Sequence, residues 1–421
     1  MTSPRRVVVV PYYYPPFWGS GNRWPTLVKY LRELGHEVTV LATDAYGRLE
    51  DDDANGVQRV HDLRASAAVR RMLRREDIPT AGAAAGDQPA GPLLTKLFVP
   101  DAYVVSWLPA AALATRRLLA ESNIDVVITS SPPESVHLLG LLLGRRRPAW
   151  IADFRDGWTF EPLRPPFPTG LQQRVDGRLE RAVAQHADAV VAATRPIAGD
   201  LVQRLGARAT HISNAWDPAL TSVPAAPRIG ESSEKRIVLT GKFSGVRGSN
   251  PEAFLRALAR VRSEPDSPPL RLVLAGPLLD ADRALIAATG NADFVSSVGI
   301  VERSSALALQ RSADALLLIT SRNSSEATGK LFEYIGADRP VLALADGNEA
   351  ARIVAETGIG VTVAPDDVEA IANALRRVAA GTLPFAPRNL GRFVYPGPAE
   401  AFTRVIDEAI DTHQRRGGSS E

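Results

Sequence analysis

The chain has 421 residues, which at ordinary domain size predicts roughly two to four domains and excludes one small module. Apolar residues at 45% and charged residues at 23% exclude an intrinsically disordered chain. Forty-nine basic against forty-seven acidic side chains leave a net charge of +2, which argues against a dedicated nucleic-acid binder, and the absence of cysteine removes any disulfide framework or thiolate metal site.

In chain order, Val7 to Val10 reads as a short strand rather than a signal peptide, because Pro11 and three tyrosines end its apolar run. Trp24 to Leu34 has helical spacing, and Glu37 to Ala42 reads as the next strand, completing a βαβ unit. Residues 45–100 are less regular and read as an insertion or excursion. Further strands are expected at Asp125 to Thr129, Trp150 to Asp153, Ala187 to Ala192 and Thr210 to Ser213, with helices near 134–144, 170–186 and 195–205. Residues 222–235 are poor in large apolar side chains and read as a linker. The pattern then restarts with Arg236 to Thr240, a helix over Pro251 to Val261, and strands within 271–276, 314–320, 340–344 and 360–364. Ala399 to Thr412 is amphipathic and arrives after the second set looks complete, so it is expected to return to the first domain. The expected fold class is α/β, with two Rossmann-like doubly wound domains facing across a cleft: 1–221, the linker 222–235, 236–395, and a terminal helix and tail over 396–421. No run is apolar for long enough to cross a bilayer, and a cytoplasmic location is expected, with peripheral contact at the inner face of a membrane in view.

Ligands of open parallel sheets lie beyond the carboxyl ends of the strands, which directs attention to the residues just after each one. Gly19, Ser20 and Gly21 precede a helix, where small residues expose amides to an anion; a tight turn chosen for geometry alone is the alternative. Their spacing is not GxGxxG, which disfavours a dinucleotide dehydrogenase. Only five lysines occur against forty-four arginines, yet two of the five lie in Thr-Gly-Lys, at 240–242 and 328–330. An ammonium beside a glycine turn suits a diphosphate, and a solvated surface lysine is the bland reading. Ser325 or Thr328 can cap a helix whose first turn carries Gly329 and Lys330. Glu333 lies one turn along, where its carboxylate either accepts from two vicinal hydroxyls or pairs with Lys330. Asp153, Arg155 and Asp156 gather charge at a strand end, and His137, after another, is functional or structural. Basic stretches at Arg64 to Arg75 and Arg145 to Arg147 read either as docking to anionic lipid or as ordinary exposed arginine.

The segments PPFWGSGNRWPTLVKYLRELGHEVTVLA, ADFRDGW, ISNAWDP, GIVERSSALALQRSADALLLI, TGKLFEYIGADRPVLAL and GNEAARIVAETGIGVTVAPDDVEAIANAL make the chain resemble the retaining, nucleotide-sugar-dependent glycosyltransferases of family 4, which have the GT-B fold. The resemblance covers most of the chain outside 45–100. It implies that Gly19 and Ser20 face the donor diphosphate, that Lys242 and Arg247 neutralise it with Gly241 among the donor-binding residues, and that Glu333 holds the donor ribose. It further implies that backbone near Gly299, Ile300 and Val301 reads the base, and that Thr328, Gly329 and Lys330 supply amides. The family often shows two glutamates with seven residues between them, which counted back from Glu333 puts the first at Ser325, with Glu326 one place off, so these two are the candidates at the donor hexose. Arg155 and Asp156 stand where many members carry a histidine, and together with His137 they are the catalytic candidates. The implied partners are a nucleotide-sugar donor and a hydroxyl acceptor, either a lipid-linked glycan or a small natural product; no metal, resident cofactor or nucleic acid is expected. Competing readings are another GT-B chemistry, such as a nucleotide-sugar epimerase or a phosphorylase, and a non-catalytic nucleotide-sugar-binding partner.

Overall fold

The computed structural model describes residues 3–17, 23–63, 97–144, 146–227, 229, 233–244, 251–265 and 268–418. Gly19, Ser20, Arg247, Arg145, the stretch Arg64 to Arg75 and part of the expected linker lie outside them. The chain forms two compact units, the first comprising Met1–Ser213 with Pro396–Glu421 and the second Asn214–Tyr395.

The first unit is a seven-stranded sheet. Its strands are β1 (Arg6–Pro11), β2 (Glu37–Thr43), β3 (Val57–Val60), β4 (Val126–Ser130), β5 (Ala149–Phe154), β6 (Ala189–Ala192) and β7 (Ala209–His211), in the spatial order β3-β2-β1-β4-β5-β6-β7. Every pairing is parallel, with Val7 opposite Val38 on one side and Val126 on the other. The four valines of β1 are all buried, as a central strand covered on both faces by helices requires. The second unit holds β8 (Lys235–Thr240), β9 (Leu270–Ala275), β10 (Val295–Gly299), β11 (Ala315–Ile319), β12 (Val341–Leu344) and β13 (Gly360–Val363), in the order β10-β9-β8-β11-β12-β13. Both orders reverse beside the first strand, the topology of doubly wound nucleotide-binding folds. Among the described residues no helix is long and apolar enough to cross a membrane.

Several elements depart from the expectation. β3 falls inside the supposed excursion, and β10 carries two serines; both are edge strands, which show little apolar alternation. Leu108–Glu121, an alanine- and leucine-rich helix, was not anticipated. The expected helix at 134–144 is a 3-10 turn, Glu134–His137, followed by a short α-helix, Leu138–Leu142.

The boundary between units lies before Asn214 rather than in the 222–235 linker. Trp216 explains the difference. Its N–H donates to Phe393 O at 2.9 Å, its carbonyl accepts from Tyr395 N at 3.0 Å, and its ring occupies the space that a Cβ on Gly336 would need, 2.1 Å from the nearest ring atom.

The helix Gly397–Gly418 belongs to the first unit and packs on β5 and on the helix Arg23–Glu33. It buries Phe402, Val405, Ile406 and Ala409, one stripe of a 3.6-residue period. Polar ties reinforce that face: Arg5 pairs with Asp407 at 2.8 Å, His36 Nε2 meets Thr403 Oγ1 at 3.0 Å, and Arg416 meets the buried Asp188 at 3.1 Å. Asp188 also accepts from Trp150 N and pairs with Arg147, so Arg147 is structural rather than a free membrane contact.

Beneath this helix, Arg23 donates to Asp153 Oδ1 at 3.0 Å and to the carbonyls of Ile212 and Ser213. Asp153 also accepts from Trp24 Nε1 and Ser130 Oγ. Both charged side chains are fully enclosed, so removing either leaves the other as a buried charge without its counter-ion. Asp153→Ala is therefore expected to destabilise the first unit by about 3–5 kcal/mol, read from urea unfolding. A loss below about 1 kcal/mol, the range of an exposed pair, would show that the pair does not hold this part of the unit together.

Candidate functional site

In the second unit the two Thr-Gly-Lys tripeptides meet. β8 ends at Thr240, and Gly241 turns the chain with φ +88°, a region that an L side chain rarely adopts. A Cβ at Gly241 would stand 2.7 Å from Lys330 Cε, so the glycine leaves room for the lysine stem. Lys330 Nζ then donates to Lys242 O at 3.1 Å. Burial pulls Lys330 down to about 8; Glu326 and Glu333 oppose that fall, and Lys242 adds repulsion. The site thus holds a desolvated ammonium beside a second lysine.

Thr328 is the N-cap of the nine-residue helix Gly329–Ala337, but its side chain makes no capping bond. Its buried Oγ1 has no hydrogen-bond partner among the described residues, while Gly329 beside it is exposed. An orphaned hydroxyl and helix-terminal amides next to two ammonium groups make a site for an anion.

Glu333 does not pair with Lys330. Its Oε1 meets Arg303 Nε at 3.4 Å and its Oε2 accepts from Gln310 Nε2 at 3.1 Å, while the side chain stays partly exposed. Gln310 also donates to Thr240 Oγ1 at 2.9 Å, linking Glu333 to the end of β8. Gln310 and Arg303 were not singled out from the sequence. The signal for Gln310 was a polar side chain three residues beyond Leu307, on the buried face of the helix Arg303–Arg311.

Glu326 is corrected from a hexose contact to a loop anchor. It is 2% exposed, and its Oε2 accepts from Ser321 N at 2.9 Å and from Ser321 Oγ. Ser325 beside it is buried too. The Val301 side chain packs against the core of the second unit, while Ile300 stands 81% exposed after Gly299.

In the first unit, His137 is corrected to a core residue. Its ring is fully buried, stacks on Phe154 with centroids 4.5 Å apart, and takes Thr129 Oγ1 at 2.9 Å. Burial drives it down to about 3, so it is neutral at physiological pH and shut off from substrate. Arg155 and Asp156 follow β5 directly and are partly exposed. Burial lowers Arg155, with Asp156 and Asp153 opposing. Glu134, absent from the sequence candidates, is pushed up to about 8, first by burial, then by Asp101, with Arg164 opposing and Asp156 adding. Asp101 accepts from Tyr103 N and Ser135 N, both at 2.9 Å, and burial raises it as well. Among the described residues no group of three His, Asp or Glu side chains could hold a metal ion.

Residues 19–214 match the family model of the glycosyl transferase 4-like domain, and residues 234–380 match that of glycosyl transferases group 1. Together the two matches span most of the chain. That pairing supports glycosyl transfer as its function. No curated protein matches the chain. Among solved structures it is similar to sucrose-phosphate synthase from Thermosynechococcus elongatus, at 16% identity and a TM-score of 0.59, over 99% of this chain and 100% of that one. It is also similar to Anabaena HepE in complex with UDP and glucose, at 14% identity and 0.56, over 99% of each chain. A Listeria monocytogenes protein named as a UDP-N-acetylglucosamine 2-epimerase aligns at 14% identity and 0.56, over 97% of each chain. At these identities the likeness shows the GT-B fold of two Rossmann-like domains.

The depressed Lys330 has a stability consequence. Between pH 8 and its unfolded value of 10.5 the unfolded chain binds the extra proton, so stability rises with pH in that window, and below pH 8 the cost of the buried charge is fully present. Lys330→Met is expected to raise the melting temperature at pH 7 by a few degrees, a gain that vanishes above pH 10.5. A variant less stable than wild type at pH 7 would contradict the assignment.

Proposed function

We propose that the chain is a retaining glycosyltransferase that moves a hexose from a nucleoside diphosphate sugar to a hydroxyl acceptor. The observation that carries this reading is Lys330, held in a desolvated position against Gly241 and beside Lys242, at the start of a helix whose cap hydroxyl is unpartnered. Such a site stabilises itself by taking an anion, and a leaving diphosphate is the anion that glycosyl transfer generates.

In the reaction, the bond from the anomeric carbon to the donor phosphate breaks with its electron pair going to the diphosphate. The acceptor oxygen bonds the same carbon from the same face, and its proton passes to a phosphate oxygen, which retains configuration without a protein nucleophile. Lys330, Lys242 and the amides of Gly329 and Lys330 meet the developing charge, so transfer is metal-independent in this reading. Glu333, oriented by Gln310 and Arg303, keeps acceptor capacity for a pair of ribose hydroxyls. In the first unit Arg155, Asp156 and Glu134 serve the acceptor; with Glu134 near 8, its carboxyl is largely protonated at neutral pH and can donate to an acceptor oxygen. The name of HepE's ligands, UDP and glucose, makes UDP the first nucleotide to try.

Nucleotide-sugar epimerisation is the second reading, favoured by the shared fold with the Listeria protein. It predicts inversion at a ring carbon with no acceptor consumed.

Thermal stability of the wild type should rise with one of UDP, GDP, ADP or TDP, by about 2.7 kcal/mol at a hundred times its dissociation constant. Lys330→Met and Glu333→Gln should each lose most of that response. With the matching nucleotide sugar, consumption of donor should depend on an added hydroxyl acceptor. Stabilisation by none of the four, or an unchanged response in both variants, would remove the donor site; an altered sugar without acceptor would establish the epimerase.

A further inference from the structure

The helix Gly170–His186 in the first unit carries two acidic residues and three outward arginines, and they are treated unequally. Asp176 is buried, accepts from Trp158 Nε1 at 2.8 Å and pairs with Arg164. Glu180 is buried as well and pairs with Arg204 at 2.9 Å. Both negative charges are thereby spent inside the unit. Arg174, Arg178 and Arg181 are exposed, and none of the three has a hydrogen bond or ion pair among the described residues. With Leu171 and Val175 they follow the spacing 171, 174, 175, 178, 181, which is one face of an α-helix.

That face opens at its N-terminal end onto an apolar surface. Leu171 is 68% exposed and Val175 is exposed beside it. Gln172 Nε2 donates to Leu97 O at 3.5 Å, which brings in Leu97, itself 64% exposed, with Phe98 following. Gln173 Nε2 donates to Phe167 O at 3.1 Å and thus fastens the loop before the helix, where Pro162, Leu163, Pro165, Pro166 and Pro168 are exposed. Residues 162–175 contain no acid, between the partly exposed Glu161 and the buried Asp176.

Large apolar side chains left in water and continuous with unpaired guanidinium groups suit an interface that is apolar at one depth and anionic at the next. An acidic protein would use the arginines but would leave the leucines and prolines unexplained. We propose that this face of the first unit docks on a bilayer with anionic headgroups, the leucines and prolines entering the headgroup boundary and Arg174, Arg178 and Arg181 meeting the lipid phosphates. The surface is independent of the glycosyl-transfer reading, since it uses none of the residues assigned to donor or acceptor chemistry.

Sedimentation of the full chain with vesicles of 70% phosphatidylcholine and 30% phosphatidylglycerol tests it, with phosphatidylcholine vesicles and soluble polyglutamate as further arms. The wild type should sediment with the mixed vesicles and far less with the neutral ones. Arg174→Gln, Arg178→Gln and Arg181→Gln combined should weaken partition roughly a hundredfold, at about fivefold for each charge. Leu171→Ser alone should weaken it by about fivefold or more without changing the melting temperature. The proposal is overturned if the wild type stays in the supernatant, if the triple variant sediments like wild type, or if polyglutamate binds while vesicles do not.

Discussion

A partly buried ammonium group, with one backbone carbonyl as its bonded partner among the described residues, is the constraint around which the candidate site of the second unit is arranged. Water would solvate Lys330 far better than the carbonyl of Lys242 does. The fold accepts that cost through a positive-φ glycine that clears the lysine stem and two nearby carboxylates that offset part of the lost hydration. Glu326 is fastened to Ser321, and Glu333 to Gln310 and Arg303, so neither collapses onto the lysine. The result is a charge kept available at a helix N-terminus. Preorganisation of this kind is what stabilises a leaving diphosphate, because no reorganisation is needed when the charge develops.

The first unit is organised on the opposite principle. Two of its enclosed acids, Asp153 with Arg23 and Asp188 with Arg147, are matched by ion pairs, and the more exposed Arg416 adds a second cation at Asp188. They fix the carboxyl end of β5 and hold the final helix against the sheet, and so set where Arg155 and Asp156 emerge. Of the groups that remain electrically strained, Glu134 lies just beyond the end of β4, where a parallel sheet presents its ligands, and Asp101 is tied to the same segment through Ser135 N.

Much of this was legible in the sequence. Buried parallel strands announce themselves as short β-branched runs, so β1, β2, β8, β11 and β12 were found from Val, Ile and Leu alone. The two Thr-Gly-Lys tripeptides were visible because lysine is scarce in this chain. Three-dimensional pairing was not. Nothing in the spacing of Lys330 and Glu333 distinguishes an ion pair between them from the observed partners, Lys242 O, Arg303 and Gln310, which come from elsewhere in the chain. His137 and Glu134 lie three residues apart in one segment, yet the first is sealed into the core and the second remains partly exposed. Sequence marks such residues as chemically able; only packing separates the one that reaches solvent.

A fold shared by a synthase, a UDP-binding protein and an epimerase does not choose a chemistry, so the central claim rests on Lys330. With five lysines in the chain, selective carbon-13 labelling at Cε gives a spectrum in which Lys330 can be assigned from its Met variant. In the free protein its resonance should titrate near pH 8. With the stabilising nucleoside diphosphate bound, the titration should move upward past the ordinary lysine value, as an ammonium paired with phosphate requires. A Lys330 resonance that titrates like an exposed lysine in the free protein, or does not respond to saturating nucleotide, would contradict the account.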